Sequence, residues 1–162
     1  MPIRKTDKGW WWGSKGAYAT KAQALAIARA AYAHGYREAE QMTDKTGEFV
    51  GTLLHSAVIT HIMHLQSKSY AEHKALGEYY AGIPDLVDGV AEAIQGCYMQ
   101  LITDYPASYA SVSSTPLDYL TSLQDYVATT RASLPQESNI QNEVDAIATL
   151  IDSTIYKLTF LK

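Results

Sequence analysis

Between Ile140 and Leu158 the apolar residues Ile140, Val144, Ile147, Ile151, Ile155 and Leu158 step by four, three, four, four and three positions. Only an α-helix puts such positions on one face, because 3.6 residues complete a turn and a strand would scatter them over both faces. A helix with one apolar face must be covered by other helices or by a sheet. The rest of the chain supplies helices.

Phe49, Leu53 and Ala57, and then Leu54, Val58, Ile62 and Leu65, recur at three and four positions, which predicts a helix from Glu48 to about Ser67 that carries His55, His61 and His64. Ser69 followed by Glu72 has capping-box spacing and opens a helix through Leu76, Tyr80, Ile83, Val87, Val90 and Ile94. Pro84 lies inside that pattern and predicts a kink or a helix split in two. Thr115-Pro116 supplies an N-cap followed by proline at the first helical position, and the helix it starts runs to Pro135. Ser138 is the expected cap of the last helix.

Short turns join the first helix to the second and the third to the fourth, while TDYPASYASVSS has no helical stripe. A dozen extended residues reach roughly 40 Å, more than the ~30 Å of a 20-residue helix, so this loop can return along the whole length of a bundle. The expected fold is all-α, a ferritin-like four-helix bundle over residues 48–162 with one long crossover. A plain up-down bundle or another all-helical packing fits the same pattern. Residues 38–47, EAEQMTDKTG, are a polar linker or the frayed start of the next helix.

Residues 1–37 form a small hairpin-plus-helix segment. GWWWGSKGAYAT alternates aromatic bulk with glycine and predicts a short β-hairpin. Thr20 with Gln23 is a capping box for the alanine-rich helix that ends at Gly35, in which Leu25, Ala28 and Tyr32 share a face.

The net charge of −4 is unevenly spread: residues 1–37 hold seven Lys and Arg against Asp7, a balance of +6, and the remaining 125 hold six against sixteen Asp and Glu, a balance of −10. Such a split suggests a first segment that meets an anionic partner or the acidic body of another copy, and simple solvated surface charge fits it as well. Arg4, Lys5, Lys8, Trp10, Trp11, Trp12, Lys15, Lys21 and Arg29 are the candidate contacts. The tryptophans suit stacking on bases, docking to a protein, or the core of the hairpin alike. With 47% apolar and 19% charged residues the chain folds around a core, and it has no apolar run long enough for a membrane helix and no pattern of a signal peptide. The single cysteine, Cys97, forms no internal disulfide and makes no Cys-based zinc site, which fits a reducing compartment, the cytoplasm.

A di-iron bundle of the ordinary kind needs Glu-x-x-His on two helices, and no glutamate here is followed by histidine at that spacing. His-Glu-x-x-His, a phosphate-cradling glycine loop and a Gly-x-Ser-x-Gly elbow are also absent, and no catalytic residue is assigned. What remains is His61 and His64, three apart, His73 just past the turn, and the i, i+4 pair Asp88 and Glu92. Imidazole and carboxylate together suit iron or zinc. Taken alone they are more simply core histidines with satisfied hydrogen bonds and carboxylates on a solvated face.

The run HLQSKSYAEHKALGEYYAGIPDLVDGVAEAI, from His64 to Ile94, resembles the signature of the Dps family, miniature ferritins that assemble as dodecamers, oxidise ferrous iron and store it. Asp88 lies fifteen residues after His73 and Glu92 four beyond it, as in that signature. The HLQSKSYAEHKAL and LVDGVAEA pieces are more closely similar to small Dps-like proteins of tailed bacteriophages. The resemblance implies iron ligation by His64, His73, Asp88 and Glu92, with His61 nearby, the histidines coming from one subunit and the carboxylates from its two-fold mate. It implies a homo-oligomer, a dodecamer if Dps-like, with ferroxidase activity. The departures are a spacing of nine between His64 and His73, three short of the family's, and Gly77 where an acidic residue is expected four positions after the second histidine. Dps proteins also bind DNA nonspecifically through basic N-terminal extensions, a parallel to residues 1–37. The alternative is a structural or assembly component of a phage particle that reuses the bundle, located in the host cytoplasm or in the virion, with its head docked on a phage structural protein.

Overall fold

A computed structural model describes residues 3–12, 15–33, 44–106, 108 and 114–161. The described chain is mostly helical with one small antiparallel sheet, and it divides into two compact units, residues 1–41 and 42–162.

In the first unit β1 (Arg4–Thr6), β2 (Gly9–Trp12) and β3 (Lys15–Tyr18) form a three-stranded antiparallel sheet in that order. The expected hairpin is β2 with β3, and its Gly13-Ser14 turn lies outside the described residues. The added strand, β1, pairs Arg4 with Trp11, Lys5 with Trp10 and Thr6 with Gly9. Arg4, Lys5 and Thr6 are all exposed, so β1 has no apolar alternation to announce it. Gly9 closes the β1–β2 turn at φ +125°, and a Cβ there would sit 2.7 Å from the Tyr18 carbonyl oxygen.

Helix α1 (Lys21–Ala33) opens on the expected box: the Gln23 amide donates to Thr20 Oγ1 and the Thr20 amide donates to Gln23 Oε1, both at 3.2 Å. Among its described side chains the buried ones are Ala24 and Ala28, packed on Trp12 with Trp10, Tyr18 and Ile3 at the margin. Leu25, expected on that face, is exposed. Small side chains at the contact let the helix come close to the bulky indole. The Tyr32 side chain lies outside the described residues.

The second unit contains α2 (Asp44–Gln66), α3 (Tyr70–Tyr98), α4 (Pro116–Thr130) and α5 (Ser138–Phe160) around one core. Helix α2 begins four residues before Glu48, and α3 is a single 29-residue helix that runs unbroken through Pro84. Packing on both neighbours holds α3 together where the proline removes one backbone donor. Ser69 caps α3, accepting from the Glu72 amide, and Thr115 caps α4, accepting from the Asp118 amide. Helix α4 stops at Thr130 and continues as a 3-10 turn, Arg131–Ser133; the N-cap of α5 is Glu137 rather than Ser138.

Side-chain pairs give the directions. Ser56 meets Tyr79 and His64 meets His73, so α2 and α3 are antiparallel. Glu78 meets Lys157 while Tyr98 meets Glu137, so α3 and α5 are antiparallel; Gln124 meets Asp152 and Arg131 meets Asp145, so α4 and α5 are too. Helices α3 and α4 therefore point the same way. At the start of the chain between them Ile102 is buried and Asp104 lies against Gly47 of α2.

Ile140, Val144, Ile147 and Ile151 are fully buried, and Ile155 and Leu158 pack at the margin. The two stripes on α2 part company. Phe49 and Leu53 are in the core and are continued there by Ser56 and Thr60, whereas Leu54, Val58, Ile62 and Leu65 are 37, 55, 50 and 71% exposed. Ser56 and Thr60 are compatible with burial because Ser56 Oγ bonds the Leu53 carbonyl and Tyr79 Oη, and Thr60 Oγ1 donates to the Ser56 carbonyl. Among the described residues no helix is long and apolar enough to cross a membrane.

Candidate metal centre

Where α2 ends and α3 begins, His64 and His73 clasp one another's backbone. His64 Nδ1 lies 2.7 Å from the His73 carbonyl oxygen, and His73 Nδ1 lies 3.0 Å from the His64 carbonyl oxygen. A carbonyl only accepts, so each Nδ1 carries a proton, and in the neutral tautomer this leaves the lone pair on Nε2. The rings stack with centroids 3.6 Å apart. The spacing of nine follows from this geometry: the last turn of α2, the Ser67–Ser69 turn and the first turn of α3 place the two histidines opposite each other. The His64 carbonyl, in the last turn of α2, accepts from both His73 Nδ1 and the Ser67 amide.

Two further side chains complete the cluster. His61 stacks on Tyr80 at 4.1 Å, and the His64 ring stands edge-on to both His61 and Tyr80. Gly77 lies beneath His64, where a Cβ would meet the ring at 3.3–3.4 Å. Any side chain there requires the His64 ring to give by a few tenths of an ångström.

Asp88 and Glu92 stand elsewhere in the chain. Both are exposed on the outward face of α3, with Asp85 one turn before them. Fifteen helical residues separate His73 from Asp88, about 22 Å of rise. The structure therefore brings His61, His64 and His73 together and leaves the two carboxylates outside their reach within one chain. Among the described residues no group of three or more His, Cys, Asp and Glu side chains is placed to share a metal ion.

In the N-terminal unit Trp12 is buried in the small core and Trp10 packs at its edge, with Lys5 Nζ and Lys21 Nζ 5.9 and 5.6 Å from its ring centre. Trp11 alternates to the other face of the sheet, where it lines a cleft with Arg4, Thr6, Asp7 and Lys8. Arg29 is exposed on α1, and the Lys15 side chain lies outside the described residues. The sequence marked Gly77 only as a departure from an expected acidic residue and did not single out Tyr80 as a site residue. Tyr80 was placed on the apolar stripe of α3, and only the fold shows it beneath His61.

A family model described as a family of unknown function, DUF5856, matches residues 64–158, more than half of the chain. The chain belongs to the DUF5856 family. The match begins at His64 and includes His73, Asp88 and Glu92, while the sheet and α1 lie outside it. A protein of Enterobacteria phage T4, described as an uncharacterized 14.6 kDa protein in the mobD-ri intergenic region, is 28% identical over 117 residues, covering 71% of this chain and 88% of that protein. No solved structure matches.

Proposed function

We propose that this DUF5856 chain is a ferritin-like, Dps-like subunit that assembles with copies of itself and binds ferrous iron between them, His64 and His73 coming from one copy and Asp88 and Glu92 from another. The clasp carries this reading. Metal-ligating histidines usually donate their second ring nitrogen to a carbonyl or carboxylate, which fixes tautomer and orientation. Both histidines here donate Nδ1–H to a carbonyl, the tautomer that leaves Nε2 as the ligating nitrogen of a neutral ring. The antiparallel helix pairs and the parallel directions of α3 and α4 agree with a ferritin-like four-helix bundle. The apolar stripe of Leu54, Val58, Ile62 and Leu65 offers a surface for a second copy on the same helix as His61 and His64.

In this reading the imidazoles and carboxylates hold ferrous iron as substrate, to be oxidised and stored, and the protein acts in the host cytoplasm. The basic N-terminal unit binds DNA or docks to a protein. A second reading, a non-catalytic assembly component of a phage particle, is favoured by the phage T4 relative and by the separation of the two ligand pairs within one chain. There the clasp is purely a turn-closing device.

Iron retained per chain after anaerobic loading, measured by elemental analysis beside the oligomer mass, separates the two. His64→Ala/His73→Ala and Asp88→Ala/Glu92→Ala should each lose the iron. A two-fold pair made of one chain of each variant contains one intact site, so randomly re-paired variants should recover about a quarter of the wild-type iron. An intact wild-type oligomer that retains no iron refutes the iron reading and leaves the scaffold.

A further inference from the structure

Among the described residues, α1 covers one face of the sheet of the N-terminal unit. Trp12, Trp10 and Tyr18 gather with Ala24 and Ala28 on that side. Among the described residues no other element of this unit packs on the opposite face, and the cross-strand pair Arg4–Trp11 occupies its middle. Trp11, Arg4, Thr6, Asp7 and Lys8 line a shallow cleft of about 310 Å³ there. The Arg4 and Lys8 side chains are exposed, and Trp11 is half-buried. Its indole N–H is buried without a hydrogen-bond partner.

We propose that this helix-free face binds a single nucleic-acid strand, with phosphates on Arg4 and Lys8 and a base on Trp11. A cationic groove beside an aromatic ring is the combination that tracks a single strand irrespective of sequence: the charges follow the backbone, and any base presents a π-face to the indole. Charge complementarity favours a polyanion. Asp7 cancels one of the two charges in the cleft itself, but the surrounding 37 residues carry a balance of +6. The orphaned indole donor points the same way, since a buried donor without an acceptor is costly. A phosphate or base oxygen can satisfy it when the exposed Arg4 and Lys8 side chains shift. The three tryptophans then divide their work. Trp12 builds the core, Trp10 is already flanked by Lys5 and Lys21, and Trp11 alone is presented to a ligand. The site lies outside the family-matched residues and is independent of the iron reading.

Fluorescence anisotropy of the full-length protein with a labelled single strand of about 30 nucleotides, and with the matching duplex, at about 50 and 200 mM salt tests this. The wild type should bind the single strand, with affinity falling about tenfold or more between the two salt concentrations. Arg4→Gln/Lys8→Gln should weaken binding at least about tenfold and flatten the salt dependence by about two released counterions. Lys21→Gln/Arg29→Gln removes the same charge from α1 and should change affinity less than about threefold if location rather than net charge decides. Trp11→Ala should lose single-strand affinity that Trp11→Phe keeps, with far-UV circular dichroism confirming that both fold. Three outcomes overturn the proposal: no binding by the wild type, which leaves an acidic protein surface as the occupant; equal loss in both double variants, which reduces binding to net charge; or duplex binding indifferent to Trp11→Ala.

Discussion

One chemical change, glycine to alanine, should have opposite signs at two helical positions of the second unit. At Gly47 in the first turn of α2, an added Cβ would lie 2.1 Å from the Asp104 carbonyl oxygen and 2.7 Å from its carbon. Ordinary carbon–oxygen contact is above roughly 3.2 Å, so α2 and the chain entering the crossover must separate by about 1 Å. Both partners are backbone, and no side chain can swing aside. Overpacking of this kind costs about 1–3 kcal/mol. The gain in helix propensity, at most about 1 kcal/mol and less in a first turn, does not offset it. The net expectation for Gly47→Ala is a loss of about 1–2 kcal/mol. At Gly96, near the end of α3, an added Cβ meets nothing within 4 Å and the position is exposed. Only the propensity and the reduced freedom of the unfolded chain remain there, worth about 0.5–1 kcal/mol of stabilisation. Urea unfolding followed by circular dichroism at 222 nm reads both. With a slope of about 2 kcal/mol per molar, the midpoints should move by about 0.5–1 M down for Gly47→Ala and about 0.25–0.5 M up for Gly96→Ala. Two changes of the same sign would refute the reasoning, because the contact between α2 and the crossover would not then be what distinguishes the sites.

Ser56→Ala should destabilise more than Tyr79→Phe, by about 1–3 against about 1 kcal/mol, because Ser56 keeps the Leu53 carbonyl when the Tyr79 hydroxyl is removed whereas Tyr79 is left with a buried, unpaired hydroxyl; the reverse order in urea unfolding would contradict this. Burial pushes the Tyr119 hydroxyl up to about 12, so the folded protein holds a proton that the unfolded chain releases above its ordinary pKa of 10. That stabilisation is complete below pH 10 and is lost between about pH 10 and 12, and Tyr119→Phe should flatten the fall in stability across that window. Met99 ends α3 at φ +52°, a left-handed conformation that glycine adopts without a Cβ penalty, so Met99→Gly should raise the urea midpoint by an amount equivalent to about 0.5–1 kcal/mol. The exposed Lys157–Glu78 ion pair lowers the Glu78 carboxyl below its usual range. Its small contribution should be present at neutral pH, vanish as pH falls through the lowered pKa, and be absent in Glu78→Gln at every pH.

The sequence by itself determined where most helices lie, because periodicity and caps are local. The boxes Thr20–Gln23 and Ser69–Glu72, the Thr115-Pro116 start and the stripe from Ile140 to Leu158 depend on neighbours within one or two turns, and each is visible without knowledge of the fold. It also offered a histidine cluster and the i, i+4 pair Asp88 and Glu92, and the resemblance joined His64, His73, Asp88 and Glu92 as one set. Only the tertiary structure decided what those residues meet. The acceptors that clasp the two histidines are backbone carbonyls, which every residue has and no sequence pattern marks. The role of Gly77 depends on a ring across the turn, and the exposure of Leu54, Val58, Ile62 and Leu65 depends on which side of α2 its neighbours occupy. Likewise β1 exists because β2 offers it an edge, and Trp11 differs from Trp10 and Trp12 only because α1 covers one face of the sheet. Hydrophobic periodicity says that a face is apolar; what covers that face, or leaves it open, is fixed by chain segments far away in sequence.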